Sequence, residues 1–247
     1  MKKIITSFIV ISLMAGGVAF AAKPDSTGKP GGGGSGGITG KVIALDAGHG
    51  GDNLGAQYPA NSGSNGLIFE KDVNLAVVYA LKAKLEAAGA TVVLVRTCDE
   101  SITLRQRADL ATAECKAVSG HDCDAFLAVH HNGNIDATHD GTLTIYNNGG
   151  QNKAFATALH NALIASLELP DEGYLSGGYG STIYCRFTQA LSEGYYITNT
   201  DEANANLLQP EVVVCQNNGL DYSVHMGDRT NQEADALLEG FVNFFSK

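Results

Sequence analysis

The sequence predicts an α/β fold: a single domain with a mostly parallel six-stranded sheet and helices on both faces. Two observations predict it. Short β-branched runs alternate along the chain with longer stretches whose apolar residues recur at helical spacing. The strand-like runs are also apolar on both sides, as strands covered on both faces must be. With 247 residues, of which 44% are hydrophobic, the chain is neither disordered nor fibrous.

Residues 1–21 read as a secretory signal: Lys2 and Lys3, an apolar run from Ile4 to Met14, then Ala19-Phe20-Ala21 as a small-x-small cleavage site. That apolar run is shorter than the ~20 residues of a membrane span. Residues 22–40 form a Gly/Ser-rich linker, and the folded domain covers 41–247. The protein is therefore expected to be exported, periplasmic or extracellular, with no stable membrane insertion after the signal is removed. In such a compartment its five cysteines can pair; Cys115 and Cys123 bracket a short loop and suit a local disulfide, and one cysteine is left over.

Val42 to Leu45 is the first strand, followed by a Gly-rich loop. The next helix carries Val73, Ala76, Val77, Ala80, Leu81, Leu85 and Ala88 at helical spacing and stops at Gly89. Thr91 to Val95 is a strand, Leu104 to Cys115 a helix and Ala125 to Val129 a third strand. Thr142 to Tyr146, Tyr195 to Thr198 and Val212 to Cys215 complete six strands, with a helix at Asn152 to Leu167. A last helix begins at a Thr230-to-Glu233 capping box and presents Ala234, Leu237, Leu238, Phe241 and Phe245 on one face. Gly173 to Tyr184 reads as a long surface loop.

Sites in open α/β sheets form at the carboxyl ends of strands. Here the first strand runs into Asp46-Ala47-Gly48-His49-Gly50-Gly51, the third into His130-His131-Asn132, and Glu70 opens the long helix between them. Two imidazoles and a carboxylate at one sheet end suit zinc, with a fourth position for water. Each residue also has an ordinary role: a loop histidine, a carboxylate at a helix N-terminus, a core histidine. Adjacent strand residues point to opposite faces, so one of His130 and His131 reaches the ion, and the pattern does not choose between them. With 16 Lys+Arg against 26 Asp+Glu the net charge is -10, or -12 without the two signal lysines, which excludes nucleic acid as a partner.

The run Val42 to Gly51, Glu70, Val93-Leu94-Val95-Arg96 with Asp99, Leu104 with Arg107, Phe126 to Asn132, and Gly141 followed by Tyr146 resemble the zinc-dependent N-acetylmuramoyl-L-alanine amidases of bacterial peptidoglycan. The resemblance covers nearly the whole chain after the linker and is strongest through Tyr146. It implies zinc bound by His49, Glu70 and His130, peptidoglycan as substrate, and hydrolysis of the amide between muramic acid and L-alanine. Asn132 and Arg96 are expected to contact substrate, and an activating protein partner is compatible with the family. Arg96, Arg105 and Arg107 also suit structural ion pairs, including one with Asp99.

The family usually closes its last strand with Pro-x-Val-Leu-Val-Glu, whose Glu is the general base. This chain reads Pro210-Glu211-Val212-Val213-Val214-Cys215-Gln216, so Cys215 or Gln216 occupies that place. Glu193, Glu202, Asp221, His131 and His225 remain as alternative bases. A zinc-bearing peptidoglycan-binding or regulatory protein with little turnover is therefore the second reading, and a thiol hydrolase using Cys215 and His225 the third.

Overall fold

The computed structural model describes residues 37–247. The expected signal and all but the last residues of the expected linker lie outside them. Ile38, inside that linker, is fully buried in the core, so the folded part begins before Lys41. Among the described residues no helix is long and apolar enough to cross a membrane.

The elements are β1 (Val42–Ala47), β2 (Gln57–Tyr58), β3 (Ile68–Phe69), α1 (Glu70–Ala87), β4 (Thr91–Leu94), α2 (Leu104–Ser119), β5 (Ala125–Asn132), β6 (Thr142–Tyr146), α3 (Gln151–Leu167), β7 (Asp171–Ser176), β8 (Gln189–Tyr196), α4 (Thr200–Leu207), β9 (Glu211–Asn217), β10 (Leu220–His225) and α5 (Asp228–Phe245). Six strands form the main sheet in the order β4-β1-β5-β8-β6-β7. β4, β1, β5 and β8 are parallel, and β6 meets β8 antiparallel.

The expected six-stranded, mostly parallel sheet is present, but two of its members differ. The run Val212 to Cys215 belongs to the antiparallel hairpin β9–β10, apart from the main sheet. The sixth sheet strand is instead β7, which starts before the segment read as a loop and overlaps it from Gly173 to Ser176; its residues are mostly exposed and offered no apolar alternation. The strand expected at Tyr195 to Thr198 starts earlier, at Gln189.

The two-residue repeat of the strands sorts the core. Ile43, Leu45 and Ala47 of β1 and Leu127 and Val129 of β5 pack into the cluster under α1, α3 and α5. Val42, Ala44, Phe126, Ala128 and Leu191 pack into the cluster on the other face, with Ala111 and Cys115 of α2. Extending β5 by this alternation puts His130 on the α2 side and His131 on the α5 side.

The capping box lies at α2, where Thr103 accepts from Gln106 N–H and the Gln106 side chain accepts from Thr103 N–H. At α5 the expected box fails. The helix starts at Asp228, and Thr230 sends both its N–H and its Oγ1 to Gln209 Oε1, 3.0 Å each. Glu233, freed from capping, is buried inside.

Two disulfides form. Cys115–Cys123 is the local one expected; Cys98–Cys215 spans 117 residues and ties the β9–β10 hairpin to the loop after β4. On the chain-entropy account the long loop contributes about 5 kcal/mol by constraining the unfolded chain and the short one about 2.5 kcal/mol. Cys185 is the free thiol, and burial, with the Asp46 charge nearby, pushes it up to about 12. At pH 8 roughly 10⁻⁴ of it is thiolate. Mass spectrometry after iodoacetamide at that pH is therefore expected to find the native protein unmodified and the unfolded, non-reduced protein carrying a single adduct.

Candidate metal centre

Three elements deliver the site: the loop after β1, the N-terminus of α1 and the end of β5. The backbone of the β1 loop is gripped by cations. Arg96 is fully buried and donates to the carbonyls of Ala47, Gly48, Lys71 and Cys98 at 2.7–3.1 Å. Arg107 reaches from α2 to Asp46 Oδ1 at 2.6 Å and to the carbonyls of Ala47 and His49. Asp99 accepts from Gly51 N–H at 2.7 Å and pairs with Lys71 at 2.7 Å. These contacts hold His49 at φ 61°, a left-handed conformation that a non-glycine residue seldom adopts.

His49, Glu70 and His130 come together. His49 Nε2 lies 2.9 Å from Glu70 Oε2 and His130 Nδ1 lies 2.9 Å from Glu70 Oε1. One donor atom from each of the three falls within 4.8 Å of the others. Gly48 makes room for this: a Cβ there would stand 2.2 Å from His130 Cε1. Burial opposes ionisation of Glu70, but hydrogen bonds from His130 and His49 outweigh it and hold the carboxyl well below its ordinary range. Burial likewise opposes a charge on His49, and Glu70 overrides it, raising the imidazole above its ordinary value. Two imidazoles on one ionised, buried carboxylate form a donor set that fits a divalent metal of the zinc type.

Beside the triad, β8 runs parallel to β5 with Glu193 directly opposite His130. Glu193 Oε2 is covered and has no hydrogen-bond partner among the described residues. Burial, with the charges of Glu70 and Glu233, pushes this carboxyl well above the ordinary range. The residue beside the ligand strand is Glu193, whereas Cys215 and Gln216 lie in the β9–β10 hairpin. Cys215 is in a disulfide and has no thiol to offer, and Gln216 Nε2 bonds Asp221 in the hairpin. The sequence did hold a signal for this: Ala190 to Gly194 reads apolar-apolar-Ser-Glu-Gly, and the polar Ser192 concealed a buried strand.

Other expected site residues fall elsewhere. Arg96 cannot meet substrate, because it is buried and all its bonds go to backbone carbonyls. Arg107 pairs with Asp46, and Lys71 takes the place beside Asp99. Arg105 lies over the Tyr184 ring. Asn132 ends β5 half-buried, its Oδ1 accepting from Gly133 N–H. His131 faces away from the triad, and His225 sits in the hairpin with Nδ1 on Gln209 O. A cavity of about 340 Å³ opens beside the triad, lined by His49, His130, Asn53, Leu104, Arg107 and Ser181. A second, of about 270 Å³, is lined by Gly55, Ala56, Gln57, Asn61, Asn134 and Thr198.

Residues 43–213 match a family model described as N-acetylmuramoyl-L-alanine amidase. The uncharacterized protein YqiI of Bacillus subtilis is 33% identical over 170 residues, which span 68% of this chain and 75% of that one. The N-acetylmuramoyl-L-alanine amidase LytC of the same organism is 32% identical over 170 residues, which span 68% of this chain but only 32% of LytC. Among solved structures, the catalytic domain of CwlV, an N-acetylmuramoyl-L-alanine amidase from Bacillus (Paenibacillus) polymyxa var. colistinus, aligns with a TM-score of 0.65 at 25% identity. That alignment covers 83% of this chain and 98% of the domain.

Proposed function

Because this chain belongs to the N-acetylmuramoyl-L-alanine amidase family, we propose that it is an exported zinc enzyme that hydrolyses the amide between N-acetylmuramic acid and L-alanine in peptidoglycan. The observation that carries this reading is the convergence of His49, Glu70 and His130 beside the half-buried carboxylate of Glu193, whose Oε2 is covered and has no partner among the described residues. His49, Glu70 and His130 would hold the ion. Zinc, when bound, supplies Lewis acidity toward the scissile carbonyl and the attacking water.

The remaining work falls to the chain. Glu193 takes a proton from the attacking water and returns it to the nitrogen of L-alanine as the C–N bond breaks. Its Oε2, without a partner among the described residues, is the acceptor for that proton. Arg96, Arg107 and the Lys71–Asp99 pair keep the His49 loop in its strained form, so the ligand is pre-positioned. The cavity lined by His49, His130 and Arg107 gives the substrate its way to the triad. The reading as a binding protein with little turnover rested on a missing base, and Glu193 is the candidate that supplies one.

The test is direct. Purified peptidoglycan incubated with the protein should release stem peptides, the release should stop with a chelator and return with zinc, and His49→Ala should abolish both release and zinc binding. A wild-type protein that binds zinc and releases nothing would leave the binding reading in its place.

A further inference from the structure

Behind the ligands, on the face covered by α1, α3 and α5, lies a chain of buried polar side chains that the hydrolysis does not use. Asn74 Nδ2 donates to Glu70 Oε1 at 3.3 Å and to Gly48 O at 3.2 Å. Asn74 Oδ1 meets His131 Nδ1 at 2.7 Å, and His131 Nε2 meets Glu233 Oε2 at 2.9 Å. The backbone N–H of His131 donates to the same Glu70 oxygen at 3.2 Å. Asn74, His131 and Glu233 are all 0–1% exposed.

A count of donors fixes the direction of this chain. Turning the Asn74 amide over would set its oxygen against Gly48 O and Glu70 Oε1, two acceptors, so Oδ1 faces His131 and Nδ1 carries the hydrogen. The imidazole is then held at one nitrogen by Asn74 and at the other by Glu233. Its ring is also met edge-on by Tyr195 at 4.3 Å.

From this geometry we infer that Glu233 is a positioning residue for the metal ligand Glu70, acting through His131 and Asn74. Glu233 fixes His131. The His131 backbone and the Asn74 amide in turn hold Glu70 Oε1, which turns the ligand carboxylate toward His49 and His130. Glu233 lies on α5, beyond residue 213 where the family match ends. Core filling alone does not call for a carboxylate here, since an apolar side chain fills the same space without the cost of burying a charge. No lysine or arginine pairs with Glu233 among the described residues, and its other oxygen is unbonded. That oxygen lies 2.5 Å from where a Cβ on Gly194 would be, so the same carboxylate also backs the strand that carries Glu193.

The inference rests on the zinc reading of the triad, and the experiment separates the two. Zinc dissociation constants of the full-length protein are measured by competition with a chromogenic chelator, alongside the melting temperature of the metal-free protein. Glu233→Met, similar in size but with no acceptor for His131, is expected to weaken zinc binding about 10–100-fold. Glu233→Gln, which can still bond to His131, should stay within about threefold of wild type. Leu237→Ala, in the buried face of the same helix, should lower the melting temperature without moving zinc affinity. Where Glu233→Met does not fold, Glu233→Asp, which draws the carboxylate back by one methylene, carries the same expectation. A folded Met or Asp variant that binds zinc as tightly as wild type overturns the inference. A wild-type protein that binds no zinc, or still binds it after His49→Ala, overturns the zinc reading instead.

Discussion

Replacing Glu193 by glutamine is expected to lower kcat by about 10²–10⁴-fold, the usual cost of losing a general base, while zinc content and melting temperature stay close to wild type. The substitution keeps the shape of the side chain and removes only its capacity to take a proton. Glu193 makes no hydrogen bond through Oε2 among the described residues, so no structural partner is lost at that atom. The carboxyl sits above its ordinary range because it is buried and close to Glu70 and Glu233. A base must be ionised to act, so the wild-type rate should rise with pH as Glu193 loses its proton, and that limb should vanish in Glu193→Gln. Turnover on soluble muramyl peptides across pH, with zinc analysis of the same samples, checks both parts. A variant rate within about tenfold of wild type would take the role of base away from Glu193.

Gly48→Ala should also weaken the site, through geometry alone. Its Cβ would lie 2.2–2.6 Å from three atoms of the His130 ring. The ring cannot simply swing away, because Nδ1 is engaged with Glu70. The added methyl group must displace either a ligand or the loop that Arg96 and Arg107 hold. Overpacking of this kind costs about 1–3 kcal/mol in a tight site, and spent on a ligand's position that is roughly 10–100-fold in metal affinity. Chelator competition and activity should therefore both fall, while Gly149→Ala, whose Cβ meets nothing within 4 Å, leaves both unchanged.

The parts of the site that could be read from sequence were those written in local pattern. The glycines around His49, the β-branched run of β1 and the apolar run of β5 are short-range signals, and they lead to His49 and to the His130-His131 pair. What sequence left open was settled by relations across strands. Which of His130 and His131 faces the triad follows from carrying the two-residue alternation of Phe126 and Ala128 forward, and that needs the position of α2. The base was left open because Val212 to Cys215 has the apolar character of a sheet strand, yet pairs only with β10. Ser192 and Glu193 interrupt β8 with polar groups that a buried strand rarely carries, so only the end of this strand, from Tyr195, was legible. Thr230 and Glu233 show a similar reversal: their spacing is that of a cap, but Gln209 takes the threonine and His131 the glutamate. Arg96 misled for another reason, since an arginine whose bonds all go to carbonyls has no complementary acid to betray it in the sequence.

The position of β8 has a consequence for how the molecule is made. It lies between β5 and β6, yet is synthesised after both. Until it is inserted, β4-β1-β5 and β6-β7 are two half-sheets with no shared hydrogen bonds, and closing the seam requires contacts distant in sequence, which are slow to form. A nascent chain that ends before residue 189 already carries all three metal donors, but neither the carboxylate opposite His130 nor the strand that joins its two halves. Completion of the hydrolytic centre in this way waits on β8: the three donors precede it in the chain, and the carboxylate that faces His130 joins them only when this strand is set between β5 and β6.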